Sequence, residues 1–386
     1  MRQMKKLRRV APVSNSADRG PNLYTYTAIV AMLGLMTLLT FVDLSGLLPL
    51  QTKDAETIAN LAERGVSGDT NSYKATALLY SLLSPTARLT VTYGLGIAFI
   101  IYCLYSLRKP LWLGVMSFML IGPMIFYLTQ FNKDTILLPF VLVAGIITRL
   151  DMKQSSKVGL IFLTYATYAL AFRPYYFMIG GSVVVFATFP RLSVGLRTFL
   201  IFSAIVGSFL LPEQVFYGLQ SYRDSVNVVR ILYQAEAGAR TAFMNIVSPD
   251  SFYHFLLNYA YALLRLNLPF LFDLNVKDLF LMVNIMILIY LFSRGYRSKL
   301  DSVRVSGFVF ASHFLVLQIF EPDLGSYFRH ISIALAIAVP AFILAEQPDL
   351  GMSTKRKVAR PMRGRTTPIR RPGDAARFPW PLSVRS

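Results

Sequence analysis

Long apolar runs bounded by charge or proline recur at about 26–50, 89–107, 111–129, 134–149, 158–172, 175–190, 197–212, 278–293, 305–320 and 331–346. Crossing a hydrocarbon core of about 30 Å takes roughly 20 helical residues. The pattern therefore predicts an all-α, polytopic transmembrane helical bundle of about ten spans. The first run follows MRQMKKLRR, exceeds a signal-peptide core and is not closed by a small-residue cleavage site, so it reads as a span. One further stretch, FYHFLLNYAYALLRLNLPFLF at 252–272, carries His254, Arg265 and Pro269. Counting it as a crossing would put the basic C-terminal segment on the opposite side, so it is predicted to be an interfacial or re-entrant helix. No internal repeat and no matched pair of Gly/Pro-broken helices marks an inverted-repeat transporter.

Composition sharpens this reading. The 386 residues are 54% hydrophobic and only 15% charged, against about 25% charged in soluble domains. Soluble enzymes, Rossmann and TIM-barrel folds and disulfide scaffolds are excluded, and the single Cys103 permits no disulfide within the chain. The division that follows is a basic N-terminus (1–22), a transmembrane domain (23–350) with outer loops at 51–88 and 213–277, and a basic tail (351–386). The tail has interspersed prolines and no apolar periodicity, so it is predicted to be disordered.

Charge then orients the bundle. With the N-terminus cytoplasmic, alternation places 108–110, 150–157, 191–197, 294–304 and the tail on the same side. With the adjoining Arg149, Glu346 and Asp349 counted, these segments hold 27 of the 39 Lys and Arg but 6 of the 20 acids, leaving 12 bases and 14 acids outside. Inside is +21 and outside −2, which accounts for the whole net charge of +19. Both termini are expected to be cytoplasmic, with the tail serving topology and attraction to anionic lipid.

The informative bases are those outside: Lys133, Arg173, Arg223, Arg230, Arg240, Arg265 and Arg329, the last beside His330. Ionisable groups this close to hydrocarbon are costly unless paired or serving a ligand. Any one of them also fits snorkelling or pairing with a local acid such as Asp134. Together they point to a polyanionic ligand at the outer leaflet, because guanidinium groups grip phosphate oxygens in pairs. Arg223 and Arg230, seven apart, share a helix face, and Arg240 follows Gly238; a solvated amphipathic helix is the plain alternative.

Asp69, in the turn-like GDTNSY, can deprotonate a hydroxyl or simply cap the next helix. Glu321 and Asp323 leave open a divalent ion; otherwise no cofactor and no metal are expected. HExxH, CxxC, Walker A and GxSxG patterns do not occur, and His313, inside an apolar run, reads as a packed core residue. Outer-rim tyrosines Tyr73, Tyr175, Tyr176, Tyr222, Tyr253 and Tyr327 suit stacking on sugar faces as well as an ordinary interfacial belt.

At GDTNSY (Asp69, Tyr73), FNKDTILLP (Lys133, Asp134), FRPYY (Arg173, Pro174, Tyr175) and SYFRH (Arg329, His330) the chain resembles the membrane polymerases of bacterial exopolysaccharide and O-antigen synthesis, the Wzy/EpsG-like group. That group is distantly similar to C-type glycosyltransferases with lipid-linked donors; the DxD of some of those enzymes is missing from the first loop. The resemblance covers most of 24–346 as a topology. It implies joining of undecaprenyl-pyrophosphate-linked oligosaccharide repeats at the periplasmic face of the bacterial inner membrane. Asp69, Arg173, Arg329 and His330 would be catalytic, and Lys133, Asp134, Tyr175, Arg223, Arg230 and Arg240 would bind substrate. Expected partners are the lipid bilayer, the lipid-linked oligosaccharide, and chain-length regulator and flippase proteins, with no nucleic acid. The rival class is a transporter or flippase for a lipid-linked or anionic solute, which would need ionisable residues near mid-membrane. An acyltransferase would need a deep histidine, and His313 is the one candidate.

Overall fold

The computed structural model describes residues 20–42, 53–65, 72–233 and 242–346; side chains at 53, 54, 222 and 229–233 are outside that set, as are Asp69, Arg240 and the tail. Every regular element among the described residues is helical. In chain order they are α1 (Leu23–Phe41), α2 (Lys53–Arg64), α3 (Ser72–Leu82), α4 (Pro85–Leu104), α5 (Pro110–Pro123), α6 (Lys133–Arg149), α7 (Gln154–Ala171), α8 (Tyr176–Thr188), α9 (Val194–Phe209), α10 (Glu213–Tyr233), α11 (Phe252–Asn267), α12 (Val276–Tyr296), α13 (Asp301–Phe320), α14 (Leu324–Ile333) and α15 (Leu335–Glu346).

Local chemistry sets many of the starts. Asn22, Ser84, Asn132, Ser193, Ser251, Asn275 and Asp323 each accept a backbone N–H of the first turn they precede, satisfying donors that a helix cannot pair internally. At α6 the cap is reciprocal: Asn132 accepts from Thr135 N, and Thr135 Oγ1 accepts from Asn132 N.

Among the described residues five helices, α1, α4, α5 with its π-turn to Leu128, α12 and α13, are long and apolar enough to cross a membrane. The number rises to seven if two bent pairs each count as one span: α9 with Glu213–Ser221, bent by 95°, and α14 with α15, bent by 61°. The run at 26–50 is helical only to Phe41, and its second half lies outside the described residues. The run at 331–346 begins earlier, at Leu324, and breaks at Ala334. The segment 252–272 forms α11 and a 3-10 turn; Tyr259 donates to the Leu315 carbonyl, so α11 lies against the last turns of α13.

The core gathers on α13 and α15, whose neighbours are α6, α8 and α12. From Leu335 to Phe342 every residue of α15 is buried, the pattern of a helix enclosed by others. Small residues let the backbones meet: a Cβ on Gly307 would fall 2.6 Å from Tyr296 N, so only glycine permits the α12–α13 crossing.

The connections sort to two ends. At one, Asn22 donates to the Arg108 carbonyl, the N–H groups of Arg108 and Lys109 donate to Glu346, Arg149 reaches Ser106, and Arg191 and Arg304 meet at Gln154. The same end thus holds the two outermost described helix ends and most of the basic connections. The opposite end holds the segments at 131–134, 172–176 and 321–330.

Candidate functional site: a buried arginine, histidine and carboxylate cluster

Four chain segments deliver the site. The Asn132 cap fixes the first turn of α6 and points Asp134 inward, where the helix N-terminus favours a carboxylate. The short α7–α8 connection carries Arg173 and Tyr175. The turn after α13 carries Glu321. The break at Ala334 separates α14 from α15, and α14 carries Arg329 and His330. All five ionisable side chains are nearly inaccessible: Asp134 is 0% exposed, Glu321 2%, His330 3%, Arg173 3% and Arg329 4%.

Asp134 is the hub. Its Oδ1 lies 3.3 Å from Arg173 Nη2 and 3.1 Å from His330 Nε2, and its Oδ2 lies 3.8 Å from Arg329 Nη1. Arg173 Nη1 donates to Tyr175 Oη at 3.2 Å and also meets His330 Nε2. Tyr175 donates to Glu321 Oε1 at 3.4 Å, and Glu321 Oε1 lies 2.5 Å from His330 Nδ1. Two carboxylates thus offset two guanidinium groups, and the proton count of His330 decides the net charge. Burial alone would raise the Glu321 carboxyl, but the charge and hydrogen bond of His330, followed by Arg173, pull it down to about 2.

His330 Nε2 faces both a donor and an acceptor. With Nδ1–H donating to Glu321, a bare Nε2 accepts from Arg173; a proton arriving at Nε2 turns the partner into Asp134. Carboxylate support behind an imidazole is the arrangement of a general base.

The four motifs meet only in part as two neighbouring groups. FRPYY, SYFRH and the Asp134 of FNKDT share the cluster. Lys133, next to Asp134, turns to the first turn of α3: its Nζ donates to Tyr73 Oη at 2.8 Å and sits 4.2 Å from that ring's centre. Asp69 and Arg240 lie outside the described residues, and Arg230 lies on α10 with its side chain outside them. Arg223 does not join the cluster. It is fully buried in its own network, with Asn245 as acceptor, Asp224 Oδ1 3.6 Å from its Nε, and the Phe243 ring beneath it. Arg265 likewise rests over Phe272.

Other expectations change. Tyr176 and Tyr327 are fully buried, so neither offers a rim surface to a sugar. Tyr327 instead donates to Asn267 and accepts from Gln318, tying α11, α13 and α14 together. Of the two carboxylates that left open a divalent ion, Glu321 turns to His330 and Asp323 accepts from Ser326 N as the α14 cap. Among the described residues no group of three or more His, Cys, Asp or Glu side chains is placed to hold a metal ion. His313 is buried, with Nε2 2.8 Å from Tyr165 Oη, in a packed aromatic core. What sequence reading missed was Glu321 as the partner of His330; a carboxylate nine residues before a histidine, across a turn, carries no periodic signal.

Burying so many charges costs several kcal/mol per ion before pairing returns any of it, which marks the cluster as a functional candidate. Comparison with protein-family models, curated proteins and solved structures returns no match, so the cluster is read from its own geometry.

Proposed function

We propose that the chain is a bacterial inner-membrane glycosyl-transfer enzyme that joins lipid-pyrophosphate-linked oligosaccharide repeats at the periplasmic face. The observation that carries the reading is the convergence of Asp134, Arg173, Arg329, His330 and Glu321 at the end opposite the basic connections. In this reading α1, α4, α5, α6, α7, α8, α9, α12, α13 and the α14–α15 pair make ten crossings, the short and bent ones included. Both termini are cytoplasmic, in keeping with the +21 to −2 asymmetry.

The chemistry uses each group once. An acceptor sugar hydroxyl attacks the anomeric carbon of the donor while His330 Nε2, backed by Glu321, takes its proton. The bond from that carbon to the pyrophosphate oxygen breaks, and the charge left on the lipid pyrophosphate is received by Arg173 and Arg329, which exchange Asp134 for phosphate oxygens. Tyr175 holds Arg173 and Glu321 in register, and Lys133 with Tyr73 borders the site. A transporter or flippase draws less support, since its binding groups belong near mid-membrane, whereas Asp134, Arg173 and Glu321 lie at helix ends.

The test is conversion of a purified lipid-linked repeat by the reconstituted protein. Longer glycans with release of lipid pyrophosphate are expected from the wild type, and loss of both from His330→Gln. Vectorial uptake of the lipid-linked repeat without any new glycosidic bond would replace this reading with the transporter.

A further inference from the structure

We propose that the opposite end of the bundle holds an anionic phospholipid, its phosphate seated between Arg191 and Arg304 and its acyl chains along α9. The proposal rests on the membrane reading alone and not on transfer chemistry.

Gln154, the first residue of α7, is 8% exposed, and its Oε1 accepts from Arg191 Nη2 and from Arg304 Nη2, each at 2.8 Å. Two guanidinium groups thus converge on a single neutral oxygen, so their facing nitrogens lie within twice that distance of one another. A neutral amide relieves little of the repulsion between them. Asp301 pairs with Arg304 and offsets one charge. Lys157 stands nearby, donating to the Thr148 carbonyl, with Asp301 and Asp151 as its charged neighbours. Three cations therefore face two carboxylates. Arg304 Nε, at this centre, is buried with no hydrogen-bond partner. A donor left over at a positive centre fits a phosphate, whose two free oxygens can bridge two guanidinium groups.

The second observation is α9 itself. Beyond Arg197 it is largely apolar, yet it buries no residue: Phe199, Phe202 and Phe209 are 63%, 65% and 66% exposed. Its N-terminal cap, Ser193, follows Arg191 by two residues, so an apolar surface begins where the cationic site ends. A free phosphate would use only the first feature. A phospholipid uses both, and basic pockets between helices at the cytoplasmic side are where anionic headgroups bind.

The full-length protein in a neutral detergent is titrated with dioleoyl phosphatidylglycerol, with phosphatidylcholine of the same chains, and with soluble glycerol 3-phosphate. Binding of the anionic lipid in preference to the other two is expected. Arg191→Gln, at an exposed position, and Arg304→Gln should each weaken it about fivefold, corresponding to ~1 kcal/mol per arginine. Asp301→Asn should strengthen it, because Arg304 is released to the phosphate. The wild-type tail is present throughout, so its attraction for lipid cancels. Unchanged affinity in the Arg191→Gln/Arg304→Gln protein, or weaker binding in Asp301→Asn, overturns the site. Equal binding of glycerol 3-phosphate overturns the lipid as its occupant.

Discussion

Asp134 Oδ1 and His330 Nε2 lie 3.1 Å apart although 196 residues separate them. The pairing joins the first turn of α6 to the middle of α14, and it places one carboxylate where two arginines and a histidine all need it. Removing Asp134 therefore strands buried cations, whereas removing one arginine leaves Asp134 its other partners.

Asp134→Ala is expected to be the most damaging single change in the cluster. Breaking a buried pair by deleting one member costs about 3–5 kcal/mol. Thermal unfolding of the detergent-solubilised protein should show a large drop for Asp134→Ala and a smaller one for Arg173→Ala. The double variant should lose less than the two singles added, because the stranded partner is gone. Additive losses would mean the 3.3 Å contact between them carries no coupling.

Glu321 gives the cluster an acid limb. Its carboxyl is pulled from 4.5 to about 2, with His330 and Arg173 overcoming the effect of burial. A depressed carboxylate stabilises the fold fully above its unfolded value, and that stability is lost as pH falls from about 4.5 through about 2. Stability measured from pH 6 down to pH 2 should thus fall more steeply for the wild type than for Glu321→Gln, which has no proton to gain there. Parallel curves would remove Glu321 from the pairing.

The sequence carried the helical class, most helix starts and the segregation of basic connections, because caps and apolar runs are local signals. It also singled out Lys133, Asp134, Arg173, Tyr175, Arg329 and His330, since charge beside hydrocarbon stands out in one dimension. It did not carry their pairing. Arg173 and Arg329 read as a phosphate clamp, yet both already face Asp134, so binding an anion means exchanging a partner. Arg223 looked equivalent to them, but Asn245 and Phe243 hold it in a separate network. Nor was the break at Ala334 legible: 331–346 reads as one apolar run, yet α14 and α15 meet at 61°, with Ser332 facing Tyr127 and Tyr327 donating to Asn267 of α11 on the near side of the break.

Orientation is open to a thiol test, since Cys103 is fully buried and the chain has no other cysteine. Tyr253 is 62% exposed on α11, and Ser298 lies in the basic connection between α12 and α13. In intact cells whose outer membrane is permeabilised, Tyr253→Cys should react with a membrane-impermeant maleimide and Ser298→Cys should react only after lysis. The reverse pattern would invert the bundle and place the arginine cluster in the cytoplasm.

Arg173 and Arg329 separate a fork from a charge. Arg173 reaches Asp134 through Nη2 while its Nη1 serves Tyr175 and His330, so one planar group spans three partners at once. Lysine keeps the charge but has one nitrogen on a flexible stem, and it cannot hold Asp134 and a phosphate oxygen in the same geometry. Arg173→Lys and Arg329→Lys should reach the membrane at near wild-type amounts, because the charge balance with Asp134 and Glu321 is kept. Each should slow transfer on the order of 100-fold, as loss of one well-placed donor does, and cells should accumulate lipid-linked single repeats in place of long polymer. Wild-type chain lengths from both variants would show that charge alone suffices. Failure of both to accumulate in the membrane would make the guanidinium forks structural, holding α6, α8 and α14 together around Asp134 and no more.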